Sequence, residues 1–262
     1  MSIVLTAAIT LFAIVSDAQW ANIRETHTRA TSPAPVPTDT SGAVPTVQAL
    51  PPASTATGSP TTRTTGLPAG LTRTTGTRGV ALTFDDGPHP VWTPKVLDQL
   101  RKARVKATFC LIGTEAQRYP KLVARIVREG HTLCNHSWHH EFDLGKLPEE
   151  QIRTNLERTN RAIRRAVPGA QIGYFRQPGG RWTTRGVKVA RDLGMVPLHW
   201  SVDPADWRRP GTRVLVNRIT DHARAGSIIL LHDGGGDRSA TLSACPTVLA
   251  TLQRKYGIVA LG

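Results

Sequence analysis

From residue 79 to the C-terminus, short apolar runs alternate with amphipathic stretches, and this alternation narrows the fold more than any other feature of the chain. The apolar runs fall at residues 80–84, 107–112, 131–135, 173–176, 196–202, 227–231 and 258–261. Each has the length of a strand and lacks helical periodicity. Between them, residues 93–103, 115–129, 148–167, 184–193, 212–223 and 246–256 repeat their apolar positions at helical spacing, as Leu122, Val123, Ile126 and Val127 do ahead of Gly130. Thr93-Pro94 is a helix-start signal. Helical segments set between successive strands predict parallel strands joined by crossover helices. A barrel and a doubly wound sheet both satisfy the pattern. In either, the loops after the carboxyl ends of the strands carry the chemistry.

The first 78 residues read differently. Residues 3–15 form an uncharged apolar run, shorter than the ~20 residues of a membrane span. The length suits the apolar part of a secretory signal, with Ser16-Asp17-Ala18 ahead of a cleavage point, although no positive charge precedes the run. Residues 1–20 are therefore expected to be a signal peptide or short apolar leader. Residues 21–78 are rich in Thr, Pro and Ala and repeat Arg-Thr-Thr-Gly at Arg63 and Arg73. They are expected to be a disordered tether. Residues 79–262 are expected to be the catalytic domain. This arrangement fits a secreted protein working outside the membrane, near a wall.

The net charge is +14. Residues 1–78 hold five Arg against Asp17, Glu25 and Asp39, so most of the surplus lies in the domain. Such a balance favours polyanionic partners, a cell wall among them, while a solvated basic face is the plainer reading of Arg153, Arg158, Arg161, Arg164 and Arg165. No nucleic-acid recognition module is recognisable, and no nucleic-acid partner is expected. Cys110 and Cys134 fall in successive predicted strands, where a bridge is geometrically conceivable; Cys245 is far downstream. No CxxC pair is present, which argues against a zinc ribbon.

The strand-end loops gather acids, imidazoles and one arginine. Asp85-Asp86 ends the first predicted strand, and two adjacent carboxylates repel unless a cation sits beside them. The plainer reading is a solvated turn. His136, His139 and His140 follow the third strand. His136 and His140, four apart, share one face of a helical turn, and His139 is an alternative partner by spacing. Two imidazoles, a carboxylate and a water make an open hydrolytic metal site for which zinc is the leading candidate. Arg176 follows the fourth strand, Trp200 and Asp206-Trp207 the fifth, and His232 the sixth. Gly234-Gly235-Gly236 reads most simply as a mobile loop.

These stretches resemble the motifs of the polysaccharide deacetylases, the NodB-type domain of carbohydrate esterase family four. Thr83-Phe84-Asp85-Asp86-Gly87-Pro88, His-Ser-x-x-His at His136 to His140, and Arg176-Gln177-Pro178-Gly179-Gly180 look like the first three motifs. Trp200 with Asp206-Trp207 resembles the fourth, and Leu230-Leu231-His232 the fifth. All five occur in family order.

The resemblance implies an α/β fold, a distorted (β/α) barrel of about seven parallel strands. It also implies roles. Asp86, His136 and His140 would bind a divalent metal, zinc first and cobalt, nickel or manganese also tolerable. Asp85 would be the general base toward water at that metal, oriented by Arg176. His232 would be the general acid, its pKa raised by Asp206. Gly179 would offer its backbone N–H to the oxyanion. Trp200 and Leu230 would line the groove and acetyl pocket, and Trp207 would face sugar rings, core packing being an equal reading for it. Many members carry an aromatic side chain where this chain has Gly179, so an opened groove floor is expected. The implied activity is removal of acetyl groups from N-acetylglucosamine units of chitin-like chains or peptidoglycan by a monomer. An O-acetyl esterase acting on acetylxylan and an inactive wall-binding module are the alternatives.

Overall fold

The computed structural model describes residues 66–262, so the expected leader and most of the expected tether lie outside the described residues. The alternation is realised as strands β1(Ala81–Asp85), β2(Thr108–Leu111), β3(Thr132–Asn135), β4(Ile172–Phe175), β5(Val196–Pro197) and β6(Ile228–His232). The helices are α1(Trp92–Ala103), α2(Gly113–Arg118), α3(Pro120–Arg128), α4(Glu149–Ala166), α5(Thr184–Asp192), α6(Thr212–His222) and α7(Ser239–Lys255). The strands form one sheet in the order β5-β4-β3-β2-β1-β6, and every pair is parallel.

Strand period 2 separates the two faces of this sheet. Leu82 and Phe84 of β1, Phe109 and Leu111 of β2, and Ile229 and Leu231 of β6 enter the main core with Val96, Leu97 and Leu100 of α1 and with Ile152, Leu156 and Ile163 of α4. Phe84 and Phe109 stack at 5.3 Å between ring centroids. The opposite face carries a second cluster that includes Ala81, Cys110, Cys134, Tyr174, Ile228 and Leu261. Cys110 and Cys134 are register partners and form a disulfide, with Cα atoms 4.1 Å apart.

Five differences from the sequence expectations have local physical causes. Residues 258–261 do not form a seventh strand. Ile258 makes only an isolated bridge to Val80, and the segment then covers the second face, where Thr132 Oγ1 donates to the Leu261 carbonyl and the Tyr174 hydroxyl to that of Gly262. The sheet therefore has six strands where about seven were expected. The expected fifth strand shrinks to two residues; Leu198 next makes only an isolated bridge, to Thr72, and Trp200 beyond it lines a cleft.

The single helix expected over 115–129 is broken at Tyr119 (φ −123°, ψ 57°). The residue before a proline is pushed out of the helical region, and Pro120 starts α3. Helix α7 begins before Pro246 rather than at it. A proline inside a helix leaves the carbonyl four residues back without its donor, and here Gln99 Nε2 supplies one to Leu242 O at 3.0 Å. Finally, the folded domain starts ahead of the expected boundary at residue 79. Leu71 packs on the main core, while Thr72 bridges Leu198 and Thr74 bridges Ser227, so this segment spans the gap between β5 and β6.

The stacked Phe84–Phe109 pair sets the density of the core between the sheet and α1. Phe84→Ala is expected to lower unfolding stability by about 3–5 kcal/mol in chemical denaturation, the range for truncating a fully buried aromatic. A loss below about 1 kcal/mol would mean that the core collapses around the vacancy.

Candidate active site

Strand register brings the principal residues together. Asp85 ends β1 and is the Cα partner of His232, which ends the neighbouring β6. The Asp85 carboxylate is buried and accepts from Arg176 Nη1 at 2.7 Å. The guanidinium is fully buried and also donates to Thr83 Oγ1 (2.8 Å), Leu198 O and His199 O (both 3.2 Å). A buried cation persists only when paired and hydrogen-bonded on its other edges, and this one is.

Asp86 turns the chain away from the sheet with a left-handed backbone, φ 72°, which aspartate tolerates better than most residues. Its Oδ1 lies 3.5 Å from His136 Nε2 and 3.4 Å from His140 Nε2. Burial opposes the charge on Asp86, but the neighbouring imidazoles of His136, His232 and His140 outweigh it and hold its carboxyl well below the usual carboxylate range. His136 Nδ1 pairs with the Arg176 carbonyl at 2.8 Å. That bond puts the ring proton on Nδ1 and leaves the Nε2 lone pair facing Asp86, the posture of a metal ligand.

The sequence predicted that His136 and His140 share a helical turn. They meet instead on an irregular loop in which Ser137 (φ 65°) and His140 (φ 63°) are left-handed. Among the described residues, Asp86, His136 and His140 offer ligand atoms within 4.8 Å of one another. His139 is exposed and packs its ring against Trp138. Asp86 Oδ1 is buried without a hydrogen-bond donor. A carboxylate oxygen without a donor among the described residues, 3.4–3.5 Å from the Nε2 atoms of two histidines, fits a divalent cation.

On the other side of Asp85, His232 Nδ1 is 2.6 Å from Asp206 Oδ1, and the His232 backbone N–H donates to Asp206 Oδ2 at 3.0 Å. Thr241 Oγ1 donates to the same Oδ2 at 2.8 Å. Burial works against a charged imidazole here. The hydrogen bond and charge of Asp206, with the charges of Asp86 and Asp85, outweigh it and raise the His232 pKa to about 9.

These groups open onto a cavity of ≈ 470 Å³ lined in part by Gly179, Trp200, Leu230 and Trp207, all anticipated, and by Phe142, Arg181 and Arg238, which were not. Arg176 and Asp206 stand behind Asp85 and His232. Trp207 is 46% exposed, so its ring faces the cleft mouth rather than the core. The opened floor expected at Gly179 is filled. A Cβ there would come within 2.7 Å of Phe142 Cδ1, and Gly179 has φ +60°. The phenyl ring comes from the loop after His140 and packs edge-on to that imidazole at 4.7 Å. The triglycine expected to be mobile is close-packed: side chains on Gly234 and Gly235 would run into the Asp86 carbonyl and carboxylate.

Two further groups had no role assigned from the sequence. Arg238 is buried on the cavity wall, donating to Gly234 O and Asp206 O. Asp233 is fully buried and accepts from Thr93 Oγ1 at 2.5 Å; burial, with the charges of Asp86 and Asp85, raises its pKa to about 7. Asp233 directly follows His232, within the strand-end loops where acids were expected to gather. Nothing local marks Arg238 or Phe142.

The sequence model of the polysaccharide deacetylase family matches residues 72–198. A chitooligosaccharide deacetylase of Sinorhizobium fredii is 45% identical over 160 residues, covering 61% of this chain and 74% of the relative. A crystal structure of a peptidoglycan N-acetylglucosamine deacetylase superposes with TM-score 0.69 at 33% identity, over 73% of this chain and 89% of that one. A carbohydrate esterase family four pseudoenzyme from Bacillus anthracis superposes with TM-score 0.65 at 31% identity, and the match spans 70% of this chain and 63% of that longer chain.

The Asp206–His232 pair dictates a pH signature. His232 is raised from 6.5 to about 9, so its contribution to stability is complete below pH 6.5 and is lost as pH rises through about 9. Asp206→Asn is therefore expected to destabilise most at or below pH 6.5, with the gap to wild type narrowing through pH 9 in denaturation measured at each pH. A gap independent of pH would show that the two side chains do not share a charge.

Proposed function

Because this chain belongs to the polysaccharide deacetylase family, hydrolases of carbon–nitrogen bonds in linear amides, we propose that it removes the acetyl group from N-acetylglucosamine units of a chitin-like chain or of peptidoglycan, as a metal-dependent enzyme acting outside the cell. One observation carries the reading. The acceptor set Asp86–His136–His140 and the pair Asp206–His232 flank a single buried carboxylate, Asp85, at the floor of one cavity.

Asp86, His136 and His140 would hold the divalent ion, with zinc favoured by a set of two nitrogens and one carboxylate oxygen. Such an ion, when bound, is a Lewis acid that brings the pKa of water down to about 7. Asp85 accepts the proton from the attacking water, and Arg176 holds that carboxylate in position and aimed. The Gly179 N–H donates to the oxygen that gains charge. An amide cannot release its amine without a proton. His232, protonated through the neutral range and bonded to Asp206, supplies it from the opposite side. Trp200, Trp207 and Phe142 present ring faces and edges to the sugar, and Leu230 closes the small acetyl end of the cavity.

An acetyl ester is the second substrate class that the cavity admits. Its alkoxide leaving group needs protonation less than an amine does, so the raised His232 favours the amide. The Cys110–Cys134 bridge supports an oxidising compartment, in keeping with the apolar leader expected at residues 1–20.

The roles of the two adjacent aspartates separate by experiment. Asp86→Ala should lose bound metal, read by elemental analysis. Asp85→Asn should retain the metal and lose about 10²–10⁴-fold in turnover, the span for a general base. Near-normal acetate release by Asp85→Asn would reassign the base. Acetate released from chitooligosaccharide and peptidoglycan, but not from acetylxylan, would establish the amide class; no acetate from any of the three with metal supplied would overturn the enzyme reading. Phe142→Ala should raise KM for oligosaccharide several-fold with little change in kcat, since the ring shapes the floor and has no proton to transfer. Equal losses in both constants would place Phe142 in the chemistry.

A further inference from the structure

Parallel topology gathers the ends of the helices as well as those of the strands. Each helix returns the chain from the catalytic end of the sheet, so helix C-termini collect at the opposite end, where the next strand begins. At that end α1 carries Lys102 in its last turn and Arg104 just after it, α3 ends with Arg128, α4 carries Arg164 and Arg165 in its last turn, and α7 carries Arg254. All six side chains belong to exposed residues, and among the described residues none makes an ion pair or a side-chain hydrogen bond. The acids nearby are already engaged. Asp98 binds Arg101 and Arg125, and Glu129 binds Arg125.

The six cations are also contiguous. Helix α7 packs against α1, α1 against α3, and α3 against α4, so the four helix ends lie side by side. Val80 N–H donates to Gly257 O just beyond α7, which ties that helix end to the start of β1 at the same rim. With helix axes about 10 Å apart, the arc runs for roughly 30 Å. Basic residues in a last helical turn offset the helix dipole, an effect that falls off beyond that turn. Arg104 lies just past the last turn of α1, so the dipole accounts for only part of the arc.

We propose that this arc is a docking surface for an extended, hydrophilic anionic polymer with phosphodiester groups along its backbone, held by charge alone. The cations follow the line of four adjacent helix ends, so an extended strand can lie along them. None of the exposed large apolar side chains among the described residues belongs to it, and Trp207 and Phe142 are at the catalytic mouth. The arc therefore lacks the aromatic platforms that stack nucleic-acid bases and the apolar anchors that enter a lipid surface. Docking on the face opposite the cleft leaves the catalytic mouth free to meet a neighbouring sugar chain.

Binding of the full chain to lipid-free poly(glycerol phosphate) tests the proposal without reference to catalysis. Neutralising about four phosphates predicts roughly a fifty-fold loss of affinity between about 50 and 200 mM salt. The variant carrying Lys102→Gln, Arg104→Gln, Arg164→Gln and Arg165→Gln should bind at least about ten-fold more weakly, by counterion release. Its acetate release from soluble chitooligosaccharide should match wild type, which also shows that it folds. A variant with the same number of cations removed outside the arc, at Arg118, Lys121, Arg185 and Arg213, should lose less than about three-fold. Equal losses in the two variants would reduce the effect to net charge and overturn the proposal. So would tighter binding to duplex DNA or to anionic vesicles than to the polymer, or no binding at low salt. Slower acetate release by the arc variant from walls that carry such a polymer, but not from stripped walls, rests additionally on the catalytic reading. Binding that is lost while wall activity persists, or the reverse, tells the two failures apart.

Discussion

The buried ion pair between Arg176 and Asp85 ties the catalytic end of the sheet together. Its guanidinium reaches the side chains of Thr83 and Asp85 on β1 and the carbonyls of Leu198 and His199 beyond β5. The same residue's carbonyl binds His136 Nδ1. One arginine thus sets the direction of a candidate base with its side chain and the tautomer of a candidate metal ligand with its backbone. Charges this deep have a large desolvation cost, and the arrangement holds because every edge of the guanidinium that the structure describes meets an acceptor. Removing either partner would leave an uncompensated charge at the floor of the cavity.

Charge is sorted along the sheet axis. The carboxylates of Asp85, Asp86, Asp206 and Asp233 converge beneath the cleft, where imidazoles and two buried arginines answer them. The opposite rim carries free cations. The sorting follows from topology, because in a parallel sheet the strand ends and the helix ends each collect on their own side. A sequence can therefore direct two surfaces with different partners simply by what it places at the ends of its elements.

Most of the site was legible because its residues sit where a strand stops. Asp85-Asp86, His136, His140, Arg176, Asp206 and His232 could be picked out from the apolar runs that precede them, and the structure brings them to one cavity, with Arg176 and Asp206 behind its lining. Residues whose positions depend on packing were not legible. Phe142 fills the volume left at Gly179 from a different loop, and Arg238 comes from the turn before α7. The triglycine looked like a source of mobility, yet it reflects the close approach of backbone to Asp86. The segment at residues 258–261 has the composition of a strand. It instead covers the second face of the sheet, where buried apolar and polar partners were both within reach.

By itself the sequence determined an α/β parallel sheet, the order of its elements and the list of groups at the strand ends, since apolar periodicity and strand termini are local properties of the chain. Only the tertiary structure decided that His140 rather than His139 completes the acceptor set. That choice rests on two left-handed residues in a loop with no regular period. Among the described residues it decided, too, that the sheet stops at six strands, that an aromatic ring from another loop floors the cleft, and that six unpaired cations meet along one rim. Each of these outcomes depends on which surfaces come within a few ångströms of one another, and contacts between residues far apart in the chain leave no periodic trace in it.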